Sequence, residues 1–78
     1  MNEFTAKKLG EVLAFAEVGM DTFEKGWGAF VSVLGEEVVQ SLVEESQIHA
    51  DTIRAIAEKE GVSAVVMKKL EGTSSKLR

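Results

Sequence analysis

Apolar residues recur at alternating intervals of four and three along the first half of the chain. They are Leu9, Leu13, Ala16, Met20, Phe23, Trp27, Phe30 and Leu34. This spacing places all of them on one side of an α-helix, so the pattern predicts a helix over about residues 4–34. Val12 and Val31 widen the apolar stripe on its two edges, and Phe15 and Val33 widen it further on one. The resulting arc of roughly 160° is more than one neighbouring helix covers.

A second stripe with the same spacing follows Gly35. It consists of Val39, Leu42, Ser46, His49, Ile53, Ile56 and Glu60. The pattern predicts a second helix over about residues 36–60, which Gly61 ends. A single glycine between two long helices allows only a tight reversal. The two helices are therefore expected to form an antiparallel hairpin.

A short third helix is predicted over about residues 63–71. Ser63 is a suitable N-cap, and Gly72 is expected to end the helix. Residues 72–78 then form a frayed tail. The whole chain, residues 1–78, is expected to be one all-α domain.

The first predicted helix contains four glycines, each of which costs up to about 1 kcal/mol relative to alanine. They are Gly10, Gly19, Gly26 and Gly28. Two explanations are open. Gly19 and Gly26 lie a heptad apart and would allow a second helix to approach closely. Alternatively, the helix is kinked or broken near residues 26–28.

The chain has 78 residues and no cysteine, so it cannot gain stability from disulfides. We therefore expect a homo-oligomer, most simply a dimer in which two hairpins form a four-helix bundle. The side chains predicted to form this interface are Leu13, Met20, Phe23, Trp27, Phe30, Leu42, Ile53 and Ile56.

The formal net charge is -4 and the sequence pI is about 4.9, which disfavours binding to nucleic acid or to an anionic membrane. No apolar stretch is long enough to span a bilayer, and the first residues do not resemble a signal peptide. A cytoplasmic protein is expected. The segment after Ala50 is mildly basic, so the acidic residues are concentrated in the first two thirds of the chain.

His49 is the only histidine and lies within the second apolar stripe. Glu45 precedes it by one helical turn, so both side chains could reach one ion. Glu17 and Glu24, on the border of the first stripe, would face them across the hairpin. These four residues are the candidate metal ligands. The alternative is that His49 is a hydrogen-bonded core histidine and that the carboxylates form a solvated edge.

The segment Val43-Glu44-Glu45-Ser46-Gln47-Ile48-His49-Ala50-Asp51 resembles the second helix of ferritin-like proteins, and the long helix around Glu17 resembles their first. The resemblance covers about residues 9–61. It implies a four-helix bundle that binds iron or another divalent metal. The family motif is Glu-x-x-His, and this chain departs from it with Glu45-x-x-x-His49.

Residues 53–71 resemble a helix-turn-helix motif. Ala57 and the turn residue Gly61 match its small positions, and Ile56, Val62, Met67 and Leu70 match its internal positions. The resemblance implies a DNA-binding regulator whose cations are Lys68, Lys69, Lys76 and Arg78. Two features argue against DNA binding. The net charge of the chain is negative, and the outward side chains of Ala64, Val65 and Val66 cannot hydrogen-bond to bases. The alternative is a third helix that packs on the hairpin through Val65, Val66 and Leu70.

No nucleophile, acid–base constellation or phosphate-binding loop is evident, so an enzyme is not expected. The preferred function is a small helical assembly module of ferritin-like type with a metal between its helices. The alternatives are a DNA-binding regulator and a pure protein–protein interaction module.

Overall fold

The protein is entirely helical in a computed structural model that describes residues 1–78. Four helices follow one another: α1 (Glu3–Lys25), α2 (Trp27–Leu34), α3 (Glu36–Lys59) and α4 (Ser63–Leu77). The all-α prediction is confirmed. Each helix is too short or too polar to cross a membrane.

The predicted first helix is divided into α1 and α2 at Gly26, so the second explanation for its glycines is correct at this point. The interruption is a local kink, because Gly26 donates to the carbonyl of Thr22 and accepts from the amide of Phe30, both at 3.0 Å. The Phe30 ring lies over Gly26, where a Cβ would be 3.0 Å from it. The rings of Phe23 and Phe30 then meet edge-to-face with centroids 4.9 Å apart.

Both inter-helix turns depend on a glycine with positive φ. Gly35 (φ 88°) separates α2 from α3, and Gly61 (φ 69°) follows α3. The amide of Val62 donates to the carbonyl of Ala57 at 2.9 Å, and Gly61 donates to Glu58 at 3.2 Å. These two bonds form a Schellman motif, which satisfies carbonyl groups at the end of α3. The predicted ends at Gly35 and Gly61 are confirmed.

The third helix is longer than predicted, because α4 continues through Gly72 to Leu77. The expected tail is therefore helical. Its side chains explain this: Ser74 is buried, and Arg78 reaches Asp21 of α1 at 2.9 Å. Packing against α1 outweighs the weak helix propensity of one glycine.

Helix α1 contacts both α3 and α4, and α2 contacts α3. The core is built mostly from small residues: Ala6, Leu13, Ala14, Ala50, Ile53, Ala57, Val66 and Leu70. On α3 the buried face keeps Val39 and Ile53 of the predicted stripe but differs from it at two positions. Ala50 and Ala57 are buried, whereas His49 and Ile56 are exposed. Alanine fits the close helix contact, and the larger neighbours are turned outward.

Helices α1 and α4 cross most closely at Gly10. A Cβ on this residue would lie 2.6 Å from the Cβ of Lys69 and 2.8 Å from the carbonyl oxygen of Val66. The close approach of another helix therefore occurs at Gly10. It does not occur at Gly19, where a Cβ would meet nothing within 4 Å. Glu11 pairs with Lys69 at 3.5 Å, and Asp21 pairs with Arg78 further along. The order of these pairs means that α1 and α4 run in the same direction.

Two of the residues predicted for the oligomer interface are buried within the single chain. Leu13 and Ile53 are in the core of the single chain, with exposed fractions of 0% and 7%, so they cannot contact a second copy. The half-buried positions among the rest are Met20, Phe23, Phe30 and Leu42. The exposed positions are Trp27 and Ile56.

The molecule is elongated, with principal extents of 43 × 23 × 13 Å. Its radius of gyration is 13.8 Å, compared with about 11.5 Å for a compact domain of this length. The accessible surface is 5256 Å², which exceeds by about 600 Å² the area of a typical monomer of this mass. An unusually large share of the chain's surface therefore remains open to contact.

We predict that Gly10→Ala destabilises the protein by about 1–3 kcal/mol, because the added Cβ forces α1 away from α4. Gly72→Ala is the control. It also replaces a mid-helix glycine but meets no atom within 4 Å, so it is expected to stabilise by up to about 1 kcal/mol. Urea unfolding of both variants measures the difference. A Gly10→Ala variant as stable as the parent would contradict the close crossing.

Candidate functional site

The four predicted metal ligands do not converge in the single chain. Glu17 is half-buried on α1 and forms an ion pair with Arg54 of α3. Glu24, Glu45 and His49 are exposed. The guanidinium group of Arg54 therefore occupies the carboxylate of Glu17, one of the two candidate ligands on α1.

No group of three or more histidine or acidic side chains is arranged to hold a metal ion within the chain. His49 is not a core histidine either, because the buried face of α3 passes through Ala50. A metal bound between two copies by Glu45 and His49 stays a prediction from the sequence pattern.

The helix-turn-helix resemblance is only partly matched by burial. Of its expected internal positions, Leu70 is buried and Val62 is half-buried, but Ile56 and Met67 are exposed. Val66, expected to point outward, has an exposed fraction of 1%. The sulfur of Met67 instead accepts from Arg54 at 3.5 Å. The face of α4 that contains Val66 and Leu70 packs on α1, as the alternative interpretation proposed.

The basic residues of α4 lie along a groove beside the N-terminal half of α1, which we call the basic groove. It has a volume of about 470 Å³. Its lining comprises Glu3, Lys7, Ala64, Val65, Lys68, Lys69, Gly72, Thr73 and Lys76. Four lysines and one glutamate give this region a net charge of +3, in a chain with a net charge of -4.

Three of the four cations predicted for DNA binding thus share one groove: Lys68, Lys69 and Lys76. Arg78 does not join them, because it is paired with Asp21. Lys7 of α1 takes its place. The sequence pattern did not suggest Lys7, since only the parallel packing of α1 and α4 brings it beside the α4 lysines.

The side of α1 that neither α3 nor α4 covers has an apolar stretch between the exposed residues Lys8 and Thr22, and we call this stretch the α1 face. It consists of Val12, Phe15 and Gly19, which are spaced three and four residues apart and so lie on one side of the helix. The exposed fractions of Val12 and Phe15 are 52% and 61%. A Cβ on Gly19 would meet nothing within 4 Å. Phe4 is exposed further toward the start of the helix, beneath the ammonium group of Lys8.

Comparison of this chain with protein-family models, with curated proteins and with solved structures gives no match. The ferritin-like and helix-turn-helix resemblances therefore rest on the residues quoted for them.

The carboxylate of Glu11 on α1 interacts with one lysine of α1 and one lysine of α4. Lys8 donates a hydrogen bond to it at 3.3 Å, and Lys69 of α4 is 3.5 Å away. The hydrogen bond from Lys8 is the main reason that the pKa of Glu11 lies below its ordinary value of 4.5, and the positive charges of Lys8 and Lys69 add to the effect.

We predict that Glu11 contributes to stability in a pH-dependent way. Since its pKa is lower in the folded chain than in the unfolded chain, the contribution is complete above about pH 5 and is lost as the pH falls through the folded pKa. Thermal melts of the parent and Glu11→Gln should differ near neutral pH and converge in acid. Glu44→Gln, which removes an exposed carboxylate that forms no ion pair, is the control. An equal pH dependence for both variants would contradict the role of Glu11.

Proposed function

We propose that this protein is a helical assembly module that pairs with a second copy of itself through the α1 face. The observation that carries the proposal is Gly19. It lies mid-helix, where glycine costs about 1 kcal/mol relative to alanine, and a Cβ at this position would meet nothing within 4 Å. A second helix that approaches closely at Gly19 would explain why the chain retains a glycine there.

The α1 face is self-complementary. Phe15 is a large side chain and Gly19 is an open position, one helical turn apart on the same side of α1. When two such faces meet in antiparallel orientation, Phe15 of each copy lies over Gly19 of the other. A two-fold axis then makes the same favourable contact twice, which is the usual geometry of homodimers.

The surface area is consistent with this pairing. The chain exposes about 600 Å² more than a typical monomer of its mass, and a standard interface buries about 800 Å² per partner. Burial of Phe15 and Val12 supplies the hydrophobic term, at about 25 cal/mol per Å² of apolar surface removed from water. The small core of the single chain has few other sources of stability.

The proposal keeps the assembly part of the ferritin-like prediction and changes its geometry. Each copy contributes α1, with α3 and α4 already packed on its other sides, so the assembly is larger than a bundle of two hairpins. Binding of iron or another divalent metal at Glu45 and His49 rests on the sequence pattern alone. A cytoplasmic location likewise stays an expectation.

We predict that the protein is a dimer in multi-angle light scattering at about 0.1 mM, and that Phe15→Glu weakens the dimer at least tenfold, or about 1.4 kcal/mol. The introduced carboxylate would be buried without a partner. Gln40→Glu adds the same charge at an exposed position of α3 away from the α1 face and should leave the dimer unchanged.

Gly19→Ala separates assembly from folding. Because its Cβ has free space in the single chain, it should stabilise the isolated helix, yet it should weaken the dimer by filling the space that Phe15 of the partner needs. A parent protein that is monomeric at this concentration, or a dimer that Phe15→Glu and Gly19→Ala leave intact, would overturn the proposal.

A further inference from the structure

We propose that the basic groove between α1 and α4 binds a small organic ligand that carries two or more phosphate groups. This inference is independent of the proposed assembly, because the groove lies where α4 packs on α1 and the α1 face is the surface that α4 leaves uncovered. Its basis is the charge of the groove, its size and the position of one glycine.

The charges are partly uncompensated. Lys7 is paired with Glu3 at 3.4 Å, and Lys69 is paired with Glu11 at 3.5 Å. Lys68 and Lys76 form no ion pair. These two ammonium groups lie on the same groove and are free to neutralise anionic oxygens of a ligand.

The volume suits a small molecule. At about 470 Å³ the groove falls within the usual range of roughly 300–1,000 Å³ for ligand sites. The short apolar side chains of Ala64 and Val65 line it together with the lysines, and the hydroxyl of Thr73 can donate a hydrogen bond. An anionic group attached to an organic body matches this combination.

Gly72 is the second observation that points to a ligand. It lies in the middle of α4, where it costs about 1 kcal/mol relative to alanine, and a Cβ there would meet nothing within 4 Å. Packing within the chain therefore does not require glycine. Its absent side chain keeps the groove open between Lys68 and Lys76, so that a ligand can approach the helix backbone.

A small ligand fits the charge balance better than nucleic acid does. Binding of a nucleic acid brings a long row of phosphates close to the whole protein surface, and the net charge of -4 opposes it. A diphosphate experiences mainly the nearby charges, among which the ammonium groups of Lys68 and Lys76 are unpaired. Screening over about 8–10 Å at physiological salt reduces the effect of the distant acidic residues of α3.

The experiment is isothermal titration calorimetry of the full chain with orthophosphate, pyrophosphate and ATP in low-salt buffer. We expect the affinity to rise from orthophosphate to pyrophosphate to ATP. Gly72→Glu, which places a carboxylate in the groove, and the double variant Lys68→Gln/Lys76→Gln should each weaken ATP binding at least tenfold, or about 1.4 kcal/mol. Gly72→Leu, which fills the groove without adding charge, should weaken binding too.

Matched controls make the result specific. Gly28→Glu also introduces a carboxylate at a helical glycine with open space around it, but outside the groove. Lys25→Gln/Lys59→Gln removes two lysines that do not line the groove. Both controls should bind ATP like the parent, and circular dichroism should give equal helix content for all variants.

Three results would overturn the inference. One is no binding of pyrophosphate or ATP up to about 1 mM. Another is an equal loss of affinity in the Gly28→Glu control. The third is a tenfold preference for a DNA or RNA oligonucleotide, or for vesicles that contain phosphoinositide, over ATP, since the groove would then serve a nucleic-acid backbone or a membrane surface.

Discussion

The structure depends on the close crossing of α1 and α4 at Gly10. Two helix backbones can come this near only where no side chain stands between them, and a Cβ on Gly10 would overlap the main chain at Val66. The crossing brings a third helix against α1 and allows small residues such as Ala6 and Ala14 to complete a core. It also orients α4 so that Arg78 reaches Asp21 and the chain end stays helical.

Both candidate surfaces follow from this crossing. Helices α3 and α4 cover two sides of α1. The third side, with Val12, Phe15 and Gly19, must therefore either remain exposed or contact another molecule. The parallel packing of α4 on α1 also aligns Lys7 with lysines that are some sixty positions away in sequence. Each surface contains a mid-helix glycine at which a Cβ would meet nothing within 4 Å, Gly19 in the α1 face and Gly72 in the basic groove. Glycine is costly in a helix, so its presence without a neighbour is informative in a way that exposed leucine or lysine is not.

Much of the fold was predictable from local signals. The heptad spacing and the glycines at positions 35 and 61 predicted the long helices and their ends, because turn geometry is a property of a few adjacent residues. The extension of α4 through Gly72 was not predictable, since it depends on contacts with α1 that outweigh local propensity. The burial of Ala50 in place of His49 on α3 has the same origin. Periodicity alone does not say which of two adjacent positions meets the neighbouring helix, and this difference leaves His49 outside the core. The lysines of the groove were visible in the sequence, whereas their convergence with Lys7 required the packing of α4.

We propose that α1 is covered by its own chain on one side and by a second copy of the protein on the other. The most direct test is an isotope-filtered nuclear Overhauser experiment on a mixture of labelled and unlabelled protein, which detects only contacts between copies. We expect intermolecular cross-peaks between the ring protons of Phe15 and the α-protons of Gly19. Cross-peaks confined to another surface, or none at a concentration where the protein is dimeric, would contradict it.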